Sequence, residues 1–196
     1  MKIEAFWQKR SLVNYLLLPL SFLFKLLSII RKYYLQIKTV NNHLPVIVVG
    51  NISVGGNGKT PVLIALANYL KSQGLNVAII SRGYKSQIKQ YPALCLYNSD
   101  ALLFGDEPVM IAIKTQLPVM IGSNRNAAIK ALAKKDLYDV ILSDDGLQHY
   151  AMPRTVEIAV VGSQQALGNG FLLPAGPLRE PISRLKTVDF VIGDGN

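Results

Sequence analysis

The chain has 196 residues, half of them hydrophobic, with a single cysteine and a formal net charge of +9. That length accommodates one α/β domain with its own core and a small appendage, and a lone Cys95 excludes an internal disulfide framework. The charge is uneven: residues 1–40 carry seven Lys/Arg against Glu4 alone, a net +6, which leaves +3 on the rest and excludes a strongly basic nucleic-acid-binding body.

Residues 12–30 are dominated by Leu, Ile, Phe and Tyr, with Lys9 and Arg10 before them and Arg31-Lys32-Tyr33-Tyr34 after. A bilayer span takes roughly 20 mostly apolar residues. This run is near that length but contains Asn14, Pro19 and Lys25, and it is cationic at both ends rather than at one. The pattern predicts a membrane-associating helical segment over 1–40. It would lie in the interface, with Lys/Arg snorkelling to an anionic membrane surface and Trp7, Tyr15, Tyr33 and Tyr34 at the boundary. A true span and a buried helical hairpin broken at Pro19 are the alternatives. No small-residue cleavage site of the signal-peptide kind follows.

Residues 45–61 read PVIVVGNISVGGNGKTP. The β-branched run Val46-Ile47-Val48-Val49 stops at Gly50 and passes into a glycine-rich loop ending in Gly58-Lys59-Thr60, after which Pro61 opens an apolar helical pattern. Strand, glycine loop and helix in that order form a phosphate cradle: successive backbone N–H groups turn inward and the helix N-terminus adds partial positive charge. The expected nucleotide-binding stretch is Ser53, Val54, Gly55, Gly56, Asn57, Gly58, Lys59 and Thr60. Lys59 would reach the β- and γ-phosphates, and the Thr60 hydroxyl would hold Mg²⁺. The strict G-x-x-x-x-G-K-[ST] pattern would have glycine where this chain has Ser53. An ordinary Gly-rich strand-to-helix turn is the plain alternative; the flanking strand and helix are the context that the phosphate-binding motif requires.

The helical pattern of 61–72 stops at Gly74. A second strand is predicted over 75–80, ending at Ser81-Arg82-Gly83-Tyr84, and a short one over 93–97, in which Cys95 reads as a small buried hydrophobe. Gly105-Asp106-Glu107-Pro108 opens a helix to Lys114. Residues 117–121 form a strand ending at Gly122-Ser123-Asn124-Arg125, followed by an alanine-rich helix over about 126–135. The strand at 140–143 stops at Asp144-Asp145-Gly146-Leu147-Gln148-His149, and two more strands are predicted at 156–161 and 188–192.

Strands alternating with helices predict an α/β fold: a P-loop NTPase-like, mostly parallel sheet with flanking helices over 41–196, preceded by the N-terminal membrane-associated helix. In such a sheet ligands gather beyond the carboxyl ends of the strands. Arg82, Asn124, Arg125, Asp144, Asp145 and His149 all fall there. Asp144-Asp145 after an apolar strand reads as a carboxylate element holding Mg²⁺, against an Asp-Gly turn. His149 is either a satisfied turn histidine or a site residue. Arg82 and Arg125 are surface arginines or anion contacts. Asp106 either starts a helix or accepts a proton from an attacking hydroxyl.

Taken together, GNISVGGNGKTP (50–61), SRGYKS (81–86), GDEP (105–108), GSNR (122–125), DDGLQH (144–149) and LLPAGPLREP (172–181) resemble the tetraacyldisaccharide 4′-kinases of lipid A biosynthesis. The resemblance implies transfer of the ATP γ-phosphate to the 4′-hydroxyl of a tetraacyl disaccharide 1-phosphate, at the cytoplasmic face of a bacterial inner membrane. By position it implies Asp106 and Lys59 as catalytic, and Thr60 with Asp144 or Asp145 at Mg²⁺. Arg82, Asn124, Arg125, Gln148, His149, Arg179 and Glu180 would contact substrate or phosphate. No guanine-reading N-K-x-D motif occurs, which fits ATP, and neither nucleic acid nor an obligate protein partner is indicated. The resemblance also implies a further C-terminal portion with a histidine that partners the GDEP aspartate. Neither His43 nor His149 occupies that role, so the expectation is nucleotide affinity with weak or no turnover from 1–196 alone. The other functional classes are a non-catalytic, membrane-attached nucleotide-binding module and a P-loop NTPase without a lipid acceptor.

Overall fold

The computed structural model describes residues 3–37, 39, 43–55, 58–162 and 167–193. Their sheet has seven strands: β1 (Val46–Gly50), β2 (Val77–Ser81), β3 (Ala93–Cys95), β4 (Val119–Ile121), β5 (Val140–Asp144), β6 (Val156–Val161) and β7 (Phe190–Gly193), ordered β3-β4-β2-β5-β1-β6-β7. All pairings are parallel except β3 with β4 at one edge. The expected mostly parallel sheet is therefore present. The strands of its centre read as continuous apolar runs because they are covered on both faces.

The two faces are distinct. On one, Val49, Ile79, Leu142 and Ile121 pack against Leu63 and Ala67 of α4 (Lys59–Ser72) and Ile111 and Ala112 of α6 (Asp106–Thr115). On the other, Val48, Ile80 and Ile141 meet Ala128, Ile129 and Leu132 of α7 (Arg125–Ala133), together with Leu147 and Met152. Side chains that alternate along each strand thus feed two separate cores.

Strand bounds shift by a residue or two from the predicted ones. The strand expected over 93–97 pairs only through Cys95, which is fully buried, and the last strand begins at Phe190 rather than at 188. A short helix α5 (Ala101–Phe104), capped by the Asp100 carboxylate accepting from the Leu102 N–H, was not expected.

The N-terminal segment forms three helices: α1 (Ile3–Trp7), α2 (Leu12–Leu16) and α3 (Leu18–Ile37). The break falls at Leu17 rather than at Pro19, which sits in the first turn of α3, where a proline has no helical N–H to lose. Polar contacts dock this segment onto the loop 168–176. Asn14 Nδ2 donates to the Ala175 carbonyl at 2.8 Å, Ser21 Oγ to the Leu172 carbonyl at 2.9 Å, and Trp7 Nε1 to the Pro174 carbonyl at 3.1 Å. Most of its large side chains, Leu12, Leu16, Phe22, Leu27 and Ile30 among them, are exposed. Among the described residues no helix is long and apolar enough to cross a membrane.

Leu142 is fully buried in the central strand β5. Leu142→Ala is expected to lower unfolding free energy by about 2–5 kcal/mol, measured as a reduced urea midpoint at unchanged slope.

Candidate functional site

The chain leaves β1 toward β2 and leaves β6 toward β7, in opposite directions across the sheet. Such a switch point opens a crevice at the carboxyl ends of the strands. The phosphate loop begins there. Gly58 caps α4 with φ +73°, in the left-handed region that a side chain would strain. Lys59 and Thr60 open α4, and Gly56 and Asn57 lie outside the described residues. The loop is held from the far end of the chain: Val54 N–H donates to the Pro177 carbonyl at 2.9 Å, and Arg179 N–H to the Ile52 carbonyl at 2.7 Å. Ser53 is buried and bridges Leu178 in antiparallel fashion; Val54 and Gly55 are exposed.

Two carboxylates face this loop from the end of β5. Asp144 is buried, with Oδ2 accepting from Ser81 Oγ at 3.2 Å and its carbonyl from Arg125 Nη2 at 2.9 Å; Oδ1 has no hydrogen-bond partner. Burial first, then the charges of Glu107 and Asp145, push the Asp144 carboxyl up to about 6, against Arg125 and the Ser81 bond. Asp145 is bent the other way by a φ of +46°, an uncommon conformation for a side-chain-bearing residue. Its carboxylate lies 3.9 Å from Lys59 Nζ and accepts from Arg179 Nη1 at 3.2 Å. Lys59 Nζ also reaches the Gly55 carbonyl at 3.4 Å. The Asp-Gly turn and the strand-end carboxylate site are thus one structure.

Arg179 Nη1 further donates to Gln148 Oε1 at 3.3 Å, and Gln148 Nε2 to Glu180 Oε1 at 2.7 Å and the Asn51 carbonyl at 3.0 Å. Asn124 caps α7, its side chain accepting from the Ala127 N–H at 3.1 Å. Arg125 follows, 3% exposed, with Nε and Nη1 unpartnered. Burial brings its guanidinium down to about 10, leaving it charged near neutrality. His149 lies with Arg31, Asn124 and Arg125 around a cavity of about 300 Å³ beside α3. Burial, then the Arg125 and Arg31 charges, drive the imidazole down to about 4, so it is neutral near pH 7. Arg82 is exposed past β2.

Asp106 is the first residue of α6 and exposed; Gly105 precedes it with φ +91°, where a Cβ would lie 2.7 Å from the Tyr84 carbonyl. It does start a helix, and it also points the first turn of α6 at the phosphate loop: its neighbour Glu107 accepts from Thr60 Oγ1 at 3.0 Å. The sequence carries no signal for Glu107 beyond its place beside Asp106. The unpartnered Asp144 oxygen, the like charges around it and the Thr60 hydroxyl form a hard-oxygen donor set that suits Mg²⁺. Among the described residues no three acidic, His or Cys side chains converge into a closed metal cage, and magnesium in nucleotide sites characteristically takes only one or two carboxylates, with phosphates and water completing the shell.

The model of the family described as tetraacyldisaccharide-1-P 4′-kinase matches residues 13–196. A tetraacyldisaccharide 4′-kinase of Mannheimia succiniciproducens is 53% identical over 193 residues, covering 97% of this chain and 59% of the relative. One from Ruthia magnifica is 52% identical, covering 94% and 60%. The crystal structure of LpxK from Aquifex aeolicus in complex with ATP superposes with a TM-score of 0.78 at 32% identity, covering 93% of this chain and 59% of that one. The chain therefore spans about three-fifths of the length of the curated relatives it matches.

Because the Asp144 carboxyl is raised to about 6 from 3.8, the folded state binds its proton more tightly than the unfolded chain does. The contribution of this group to stability is therefore present below pH 4 and lost as pH rises through 6. Asp144→Asn is expected to be more stable than the parent at pH 7, by up to about 2–3 kcal/mol, and equal to it near pH 4. Urea unfolding of both proteins across that range is the check.

Proposed function

Because the chain belongs to the tetraacyldisaccharide-1-phosphate 4′-kinase family, we propose that it carries the nucleotide site of an ATP-dependent lipid kinase. The reaction is transfer of the γ-phosphate to the 4′-hydroxyl of a tetraacyl disaccharide 1-phosphate. The observation that carries this reading is the meeting of Lys59, Asp145 and Arg179 beside the phosphate loop, with Asp144 behind them.

Phosphoryl transfer asks the protein mainly for positioning and charge neutralisation. The N–H groups of Gly58, Lys59 and Thr60 at the start of α4 would face the phosphates, and Lys59, moving off Asp145, neutralises the β- and γ-oxygens. Thr60 and Asp144, with Asp145 and Glu107 close by, would hold Mg²⁺, which supplies charge stabilisation at the phosphates when bound. Asp106, exposed at the head of α6, accepts the proton of the sugar hydroxyl. Arg125 has two buried donors free for an anion, and Arg179 and Gln148 orient the acceptor. Arg82, Asn124 and His149 line the approach, and Glu180 acts on it through Gln148.

A lipid with four acyl chains leaves a bilayer reluctantly, since each buried CH₂ is worth about 0.8 kcal/mol. We assign α2 and α3, within residues 1–40, to the interface of the cytoplasmic face of the inner membrane, with 41–196 forming the kinase body. Their support is the exposed apolar surface together with Lys25, Arg31 and Lys32. A cavity of about 390 Å³ between Phe24, Leu27 and Arg31 of α3 and Gln148, Tyr150 and Arg179 gives a route from that surface to the site.

The test is transfer of labelled γ-phosphate from ATP to the tetraacyl disaccharide 1-phosphate in mixed micelles. The expected result is ATP binding that falls at least about tenfold in Lys59→Ala, and lipid product that disappears in the same variant. Nucleotide binding with no product would identify a nucleotide-binding module instead. Co-sedimentation with vesicles containing anionic phospholipid is expected for the parent, and to be lost on replacing Phe22 and Leu23 by Asp, with no change in ATP affinity.

A further inference from the structure

We propose that Glu157, on β6 behind the site, is a positioning residue that sets the geometry of the loop 145–149 through two arginines. The role given to that loop rests on the nucleotide reading above; the geometry does not. Glu157 is 9% exposed and touches none of the residues assigned to phosphate or metal.

Its carboxylate is gripped from two sides. Arg184 Nη2 donates to Oε1 at 2.6 Å and Oε2 at 2.7 Å, and Arg154 Nη1 donates to Oε1 at 2.6 Å. Burial alone would raise this carboxyl, but the two guanidiniums hold it below the ordinary carboxylate range. From here two arms run to the same loop. Arg154 donates to the carbonyls of Leu147, at 3.1 Å, and His149, at 2.6 Å, and so fixes the loop backbone. Arg184 Nε donates to Glu180 Oε2 at 3.2 Å; Glu180 then holds Gln148, Gln148 holds Arg179, and Arg179 pairs with Asp145.

An ion pair serving only to join β6 to the following chain would need one of these arms. Both converge on the segment carrying Asp145 and Gln148. Glu157→Gln keeps the shape but faces two buried guanidiniums with a neutral group, so both arms slacken together.

The test is a double-mutant cycle of Glu157→Gln with Arg179→Ala in the full chain. It is read by Mg·ATP affinity and by hydrogen exchange at the Gly146, His149 and Met152 amides, which are hydrogen-bonded within and around the loop. Each single variant is expected to weaken Mg·ATP about three- to tenfold, and the double variant no more than the weaker single, because both act on one group. Glu157→Gln is also expected to speed exchange at the loop amides while those of β1 and β5 are unchanged. Additive losses, or loop exchange at the parental rate, overturn the proposal. If the parent fails to bind Mg·ATP, the nucleotide reading falls and loop exchange alone decides this one. Should Glu157→Gln not fold, Arg154→Gln cuts the backbone arm only and is judged by the same loop amides.

Discussion

Asp144 is withdrawn from water at the end of a strand buried on both faces, and that position imposes conditions on everything around it. An ionised carboxylate in such a place is tolerated only with charge and hydrogen-bond partners. Ser81 supplies a hydroxyl from the neighbouring strand, and Arg125 supplies a guanidinium whose own burial is tolerable because Asp144 and Asp145 face it. The partners are fewer than the acceptors, and one oxygen stays open. A structure that ends its central strand with two adjacent acids, and then arranges arginines in a partial ring around them, is poised for additional positive charge. Burial, with the charges of Glu107 and Asp145 added to it, is what raises the carboxyl to about 6.

The second constraint is mechanical. The phosphate loop does not rest on its own strand alone, because residues 177–180 are laid across it through backbone hydrogen bonds. The stretch just before, 168–176, receives the side chains of Trp7, Asn14 and Ser21. One continuous segment, 168–180, therefore touches the N-terminal helices at one end and the loop at the other. The docking uses few side chains of these helices, leaving most of their apolar surface outward.

Much of this was legible in the residues. The β-branched run before Gly50, the apolar runs of β2 and β5 and the polar groups after each strand are visible in the residues, and their convergence at one end of the sheet follows from the strands being parallel, which puts every carboxyl end on the same side. What was not legible arose from tertiary contact. Glu157 lies in an apolar strand and Arg184 in a polar one-turn segment; nothing local says that they meet. Glu107 was overshadowed by its neighbour, because only the path of α6 reveals that it faces Thr60. The break in the N-terminal helices moved from Pro19 to Leu17, since proline is tolerated in a first turn. The insertion of β5 between β1 and β2 cannot be read from strand patterns, which carry no information on order.

That strand order has a consequence for a chain made from its N-terminus. Residues 46–60 leave the ribosome early, yet both neighbours of β1 are strands encoded after residue 139, and the cover of the loop comes later still, at 177–180. Until then the loop after β1 lacks its cover, and its apolar strand has nothing to pair with. Long-range parallel pairing of this kind is slow and leaves hydrophobic edges open. A ligand at this loop therefore cannot guide the early steps of folding, because the strands and the cover that frame the loop are made after it. The docked helices α1 to α3 likewise wait for the loop at 168–176 to receive Trp7, Asn14 and Ser21.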